Sequence, residues 1–232
     1  MNELTVSEVF GITLQGEGKS QGLPCMFIRL GLCNLDCGWC DTPYTWDWTG
    51  KNGLAYNKQE QLQRMTIEHL LSLMPTTCDR VVITGGEPMV QQNKLSALVS
   101  ALTVIGYTAE VETNGTIAVD PSFPSVQFNV SPKLSNSGVP YGKAVNIVAL
   151  QSYAVRKASF KFVVENDKCV QEVSDLVALL GVSRSSVWLM PQGKTRTQIV
   201  GKLGWLFDVC SQQGYNLSAR LHVLAHNDKR GI

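Results

Sequence analysis

The sequence predicts an α/β fold on a mostly parallel sheet, and three observations carry that prediction. Short apolar runs of strand length alternate with segments whose apolar residues recur at helical spacing. Several of those runs stop at glycine-rich or polar turns, as strands do where a crossover begins. The 232 residues are 44% hydrophobic, without internal repeat or low-complexity stretch, which suits a single domain over residues 1–232 with a full core.

The elements follow in order. Residues 9–14 and 25–30 read as short strands on either side of the turn Gln15-Gly16-Glu17-Gly18, and the second strand runs into a cysteine loop at 33–40. Residues 43–65, with Tyr44, Trp46, Trp48, Gly50 and Gly53 among many polar side chains, read as an irregular insertion. Thr66 can cap a helix bearing Ile67, Leu70, Leu71 and Met74 on one face, stopped by Pro75. A strand at 80–84 ends at Gly85-Gly86. A helix at 94–105 turns Leu95, Leu98, Val99 and Leu102 inward and closes at Gly106. Strands at 108–113 and 125–130 end at Asn114-Gly115 and Ser131-Pro132-Lys133, and 134–143 is a loop. The remainder is a strand at 159–164, a helix at 167–180, a strand at 186–190, a helix at 197–213 and a last strand at 217–223. The second of those helices carries Ile199, Leu203, Leu206, Phe207 and Cys210.

Charge and composition exclude several classes. The net charge is +1 with no basic or acidic run, so no surface for nucleic acid or anionic membrane is expected. No apolar run is long enough to span a bilayer, and residues 1–5 lack the pattern of a secretory signal. Seven cysteines, an odd number, argue against a disulfide framework and for a reducing cytoplasm.

The most informative segment is Cys33-Asn-Leu-Asp-Cys37-Gly-Trp-Cys40. Three thiolates on one tight loop can hold three irons of a 4Fe–4S cube. Such clusters normally take four cysteines, so the fourth iron would stay open to a small molecule. The alternative is a structural zinc site, which needs a fourth ligand and usually two cysteine pairs or added histidines. Cys25, Cys78, Cys169 and Cys210 are scattered singly and read as buried small hydrophobes; His222 and His226 lie far along the chain and read as structural. Trp39 is expected to pack near the cluster.

Other motifs collect at predicted strand ends, the edge where parallel α/β folds place ligands. Gly85-Gly86-Glu87-Pro88 would let backbone approach a ligand and offer a carboxylate to an ammonium group; by itself it also reads as an ordinary strand-to-helix turn. Thr42, after Cys40-Asp41, offers a hydroxyl to Mg2+ or marks a polar turn before Pro43. The Gln15 to Gly18 turn offers amide and carboxylate groups to a heterocycle, or is a surface hairpin. Arg29, in an apolar strand, either grips a substrate carboxylate or faces outward.

Together these segments resemble one family. Leu14-Gln15-Gly16-Glu17-Gly18, Phe27-Ile28-Arg29-Leu30, Cys33-x3-Cys37-x2-Cys40-Asp41-Thr42, Thr84-Gly85-Gly86-Glu87-Pro88, Glu112-Thr113-Asn114-Gly115 and Ser131-Pro132-Lys133 keep the order and spacing seen in 7-carboxy-7-deazaguanine synthases of the radical S-adenosylmethionine (SAM) superfamily, over residues 7–133. Later, Pro191-Gln192 sits where that family has a proline segment near SAM, in wording that departs from the family's form. The resemblance implies a reduced, partial (β/α) barrel with a mostly parallel sheet. It implies a carbon–nitrogen lyase that turns 6-carboxy-5,6,7,8-tetrahydropterin into 7-carboxy-7-deazaguanine with release of ammonia, toward queuosine-type bases. It further implies a 4Fe–4S cluster on Cys33, Cys37 and Cys40, SAM lined by Trp39, Cys40, Asp41, Gly86, Glu87, Glu112, Ser131, Pro132, Lys133 and Gln192, and pterin held by Leu14, Gln15, Gly16, Arg29 and Thr84. Mg2+ on Thr42, a flavodoxin or ferredoxin as electron donor and a homodimer complete the expectation. Two rivals stay open on sequence: another small radical SAM enzyme such as a glycyl-radical activase, and a non-enzymatic metal-binding adaptor or electron carrier.

Overall fold

Nine strands form one sheet in the computed structural model, which describes residues 3–232. They are β1 (Glu3–Leu14), β2 (Pro24–Leu30), β3 (Gln63–Thr66), β4 (Arg80–Gly85), β5 (Thr108–Thr113), β6 (Gln127–Val130), β7 (Ser159–Val164), β8 (Val187–Pro191) and β9 (Asn216–Leu217). Their order is β3-β1-β2-β4-β5-β6-β7-β8-β9. β1 runs antiparallel to both its neighbours, and every pairing from β2 onward is parallel.

Side chains alternate between the faces of a strand, and this alternation divides the sheet into a dry face and a polar one. Ile28 and Leu30, Val81 and Ile83, Phe128 and Val130, Phe160 and Phe162, and Val187 and Leu189 pack into the main core. Helices Gln92–Val104, Asp167–Leu180 and Arg196–Gln213 cover that face with Leu95, Leu98, Leu102, Val173 and Leu206. The intervening positions carry Arg29, Thr84, Glu110, Glu112, Asn129 and Lys161. Of these, Thr84, Glu110, Asn129 and Lys161 are buried, and buried polar groups must be paired. Glu110 is: it takes an ion pair from Arg80 and an amide hydrogen bond from Asn129 at 2.8 Å.

The sheet curls without closing. No ladder joins β1 to β9 among the described residues; the turn after β1 reaches the far edge instead. Gly18 N donates to Ser218 Oγ at 2.8 Å and Leu221 N to Gly16 O at 3.0 Å. The result is an open, partial barrel whose polar face is concave.

Several boundaries differ from the sequence reading. β1 begins six residues before position 9 because Leu4 and Val6, both fully buried, pair it with β3. The insertion is therefore ordered in part, holding β3 and a short helix, Lys58–Gln61. A helix at Ile147–Val155, capped by the Asn146 side chain on Ala149 N, was not read from the sequence, and the loop before it contains the turn Tyr141–Ala144. The expected strand at 217–223 shrinks to β9 followed by helix Leu221–His226. Arg220 turns inward there, and Leu221 N is taken by Gly16 O. In helix Arg196–Gln213 the buried stripe is Ile199, Leu206 and Cys210; Phe207, one position off it, is 63% exposed. No helix among the described residues is long and apolar enough to cross a membrane.

Candidate active site

The concave face and the loops at the C-terminal ends of the parallel strands enclose a cavity of about 240 Å3. Its roof is the cysteine loop. The loop leaves β2 and is held from both sides: Leu32 N donates to Thr45 O at 2.8 Å, while Gly86 N and Glu87 N donate to Leu30 O and Leu32 O at 3.0 and 2.8 Å. Gly38 N donates to Ser137 O at 2.9 Å. Gly86 is required by this approach, because a Cβ there would lie 2.0 Å from Leu32 O.

Cys33, Cys37 and Cys40 all line the cavity. Burial pushes the Cys33 thiol up to about 12 and raises Cys37 as well, so neither is a thiolate without a metal to hold it. Three thiols on one loop make a donor set suited to an iron–sulfur cluster. The insertion embraces this loop. Trp46 Nε1 donates to Cys40 Sγ at 3.4 Å and Asn52 Nδ2 to Cys37 O at 3.1 Å. Asp47 fixes the insertion by accepting backbone N–H from Gly50, Lys51 and Asn52 at 2.9, 3.0 and 2.7 Å.

Of the residues expected around SAM, Trp39, Asp41, Gly86, Glu112, Ser131, Lys133 and Gln192 line the cavity. Trp39 Nε1 is buried without a hydrogen-bond partner, and Lys133 Nζ sits 5.5 Å from the indole centroid while donating to Ser131 Oγ at 2.9 Å. Gln192 Oε1 accepts from Lys202 Nζ at 3.1 Å. Pro132 is buried off the cavity wall. Glu87 also departs from expectation. Its fully buried carboxylate accepts from Met89 N, Thr113 Oγ1 and Asn114 N at 2.9, 2.7 and 2.6 Å, so it ties two loops together instead of facing the cavity.

Leu14, Gln15, Gly16, Arg29, Thr42 and Thr84 line the other half. Arg29 Nε donates to Glu8 Oε1 at 2.6 Å, and its guanidinium lies 5.5 Å from the Phe10 ring. Burial opposes its charge, but Tyr44 and Glu8 outweigh that and raise its pKa. Gln15 Nε2 and Thr84 Oγ1 both donate to Glu112, at 3.1 and 2.8 Å. Thr42 Oγ1 stands 3.7 Å from Cys40 Sγ.

The sequence reading missed an ionic network on the same wall. Glu17 is ion-paired with Lys161 and with Arg220, whose Nε is 2.8 Å away. Arg220 also pairs with Asp41 and donates from Nη1 to Gly193 O at 2.6 Å. Burial alone would raise Glu17, but Lys161, Arg220 and His222 together hold it well below the usual carboxylate range. His222, expected as structural, faces the cavity; burial lowers its pKa in spite of Glu17. It packs so closely on Gly16 that a Cβ there would meet its Nδ1 at 2.1 Å. Lys161 carried a readable signal, a charge inside an apolar strand like Arg29. Arg220 and His222, beside a strand misread in length, carried none.

Comparison with known proteins agrees with this geometry. Residues 14–119 match the model of a 4Fe–4S single cluster domain. The chain is 35% identical to the 7-carboxy-7-deazaguanine synthase of Pyrobaculum aerophilum, over 97% of this chain and 96% of that one. It superposes on the crystal structure of QueE from Escherichia coli with a TM-score of 0.74 and 28% identity, covering 95% of each chain. An AdoMet-bound structure of anSMEcpe shares the fold, with a TM-score of 0.50 and 15% identity over 81% of this chain and 60% of that one. An open, mostly parallel α/β sheet with three cysteines on the loop after a strand defines an iron–sulfur enzyme of the radical SAM type. Within that class, the chain belongs to the 7-carboxy-7-deazaguanine synthase family.

Proposed function

We propose that this enzyme converts 6-carboxy-5,6,7,8-tetrahydropterin to 7-carboxy-7-deazaguanine and ammonia, on the route to 7-deazaguanine bases. The observation that carries this reading is a single cavity with thiols on its roof and a polar floor fit for a small charged heterocycle. Cys33, Cys37 and Cys40 would hold the cluster, and Trp39, Asp41, Gly86, Ser131, Lys133 and Gln192 would surround SAM. When bound, cluster and SAM would supply the radical chemistry for hydrogen-atom abstraction. The protein's own part is positioning and exclusion of water.

Arg29 suits the substrate carboxylate. Glu8 occupies its Nε edge, which leaves the Nη fork for a bidentate contact. Thr42 would hold Mg2+ against the same carboxylate. Gln15, with its Nε2 committed to Glu112, has a fixed amide orientation toward the heterocycle it would hold. A low-potential flavodoxin or ferredoxin would deliver electrons in a reducing cytoplasm, and the active form would be a homodimer. The test is anaerobic turnover of iron- and sulfide-reconstituted protein with dithionite, SAM, Mg2+ and 6-carboxytetrahydropterin, followed by mass spectrometry. Formation of 7-carboxy-7-deazaguanine is expected. 5′-Deoxyadenosine without that product would discard the pterin, and neither product from cluster-loaded protein would discard the reaction.

A further inference from the structure

The insertion at 43–65 reaches a sulfur as well as backbone. Trp46 is half-buried, lines the cavity, and directs its indole Nε1 at Cys40 Sγ, 3.4 Å away. An indole N–H can only donate, so the sense of this contact is fixed, unlike that of the neighbouring Thr42 hydroxyl, which stands 3.7 Å from the same sulfur. The ring is held by local structure. Trp46 N donates to Pro43 O at 3.0 Å, Thr45 O accepts from Leu32 N at 2.8 Å, and Asp47 fixes the chain that follows.

From this geometry we infer that Trp46 tunes the reduction potential of the cluster through an N–H···S hydrogen bond to Cys40. This rests on the reading of Cys40 as a cluster ligand. Hydrogen bonds to the sulfurs are among the levers that set a cluster's potential. The positive end of the N–H dipole favours added negative charge on the sulfur. It therefore stabilises the reduced cluster more than the oxidised one and makes the potential less negative. Trp46 would thus ease electron uptake from the donor, in exchange for part of the driving force for cleaving SAM. It is a positioning residue, since it touches a ligand atom and not the substrate.

The test compares wild type with Trp46→Phe, which keeps the ring and deletes the donor. Both are reconstituted anaerobically, assayed for iron and sulfide, and titrated electrochemically while the reduced cluster is followed by electron paramagnetic resonance. At equal loading, the variant is expected to show a reduced-to-oxidised ratio lower by roughly fivefold at a fixed applied potential, a part of what one hydrogen bond to a charged group is worth. At 59 mV per tenfold for a one-electron couple, that is a shift of about 40 mV to more negative potential. An unchanged or less negative potential at equal loading would overturn the inference alone. Wild-type protein that takes up no iron and sulfide would overturn the cluster reading and this inference with it. Should Trp46→Phe fail to load, Trp39→Phe protein labelled with indole 15N decides the matter by electron–nuclear double resonance. An indole 15N coupled to the reduced cluster supports the bond, and its absence overturns it.

Discussion

Arg220→Ala removes the residue that ties three separate segments to the cavity wall. Its guanidinium meets Glu17 from the turn after β1, Asp41 from the cysteine loop and Gly193 O from the segment after β8. The side chain is only 10% exposed and its partner Glu17 only 13%, so deletion strands a charge that water reaches poorly. Removing one partner of a buried ion pair costs about 3–5 kcal/mol. Glu17 keeps Lys161, and Asp41 is open enough to be rehydrated, so the expected loss is at the lower end, about 3 kcal/mol. For a chain of this size that lowers Tm by roughly 6–12 °C. Urea unfolding of the cluster-free protein measures it, read as a shift in midpoint at constant m. Arg220→Lys should recover only part, because one ammonium cannot span three acceptors on three segments. In the double variant with Glu17→Gln, the losses should fall short of their sum by more than about 1 kcal/mol. A loss below about 1 kcal/mol for Arg220→Ala, or strict additivity with Glu17→Gln, would refute the account of a buried network.

Further predictions follow from the same contacts. Cys37→Ala should lose the visible absorbance of the cluster and SAM cleavage together; retention of both would remove Cys37 as a ligand. Arg29→Ala should lower kcat/KM by about 10–100-fold with iron content unchanged, as expected for a lost charge-assisted contact, and equal loss of iron would make its role structural. Gly86→Ala, whose Cβ would strike Leu32 O, should displace the cysteine loop and reduce the iron bound per chain on reconstitution. The pH dependence should follow Glu17. Its folded pKa is depressed, so its stabilisation is complete above the ordinary value of 4.5 and drains away as pH falls below it. The stability gap between wild type and Glu17→Gln should therefore narrow progressively as pH falls below 4.5, and a constant gap would deny the ion pairing.

Much of the fold was legible because strands 108–113 and 159–164 and helix 167–180 agree in pattern and propensity, and the structure reproduces their bounds. Where legibility failed, the reason was non-local. β3 exists because Gln63–Thr66 pairs with residues 3–6, a partner some sixty positions away that no local pattern announces. The stretch 217–223 looked like a strand from its apolar residues, yet the Arg220 ties to Glu17 and Asp41 end it early. The site was partly legible for a related reason. Cysteine spacing and strand-end glycines are local signals, and most residues they mark do line one cavity. Glu87 shows the limit: its position beside two glycines suggested a ligand, but three nearby donors, two from the following strand end, consume it. Lys161 shows the converse, a cavity-wall charge whose signal, a lysine inside an apolar strand, stands in the sequence without any motif around it.

The clasp between Glu17 and Arg220 joins residues 203 positions apart. A contact of that span forms late, because the intervening chain must first be brought together. The turn at 15–18 and the cysteines at 33–40 leave the ribosome long before their partners at 218–222. During that interval the thiols stand over an unfinished floor, open to oxygen and to adventitious metals. The order of iron loading and docking of the last segment is thereby made a matter of timing.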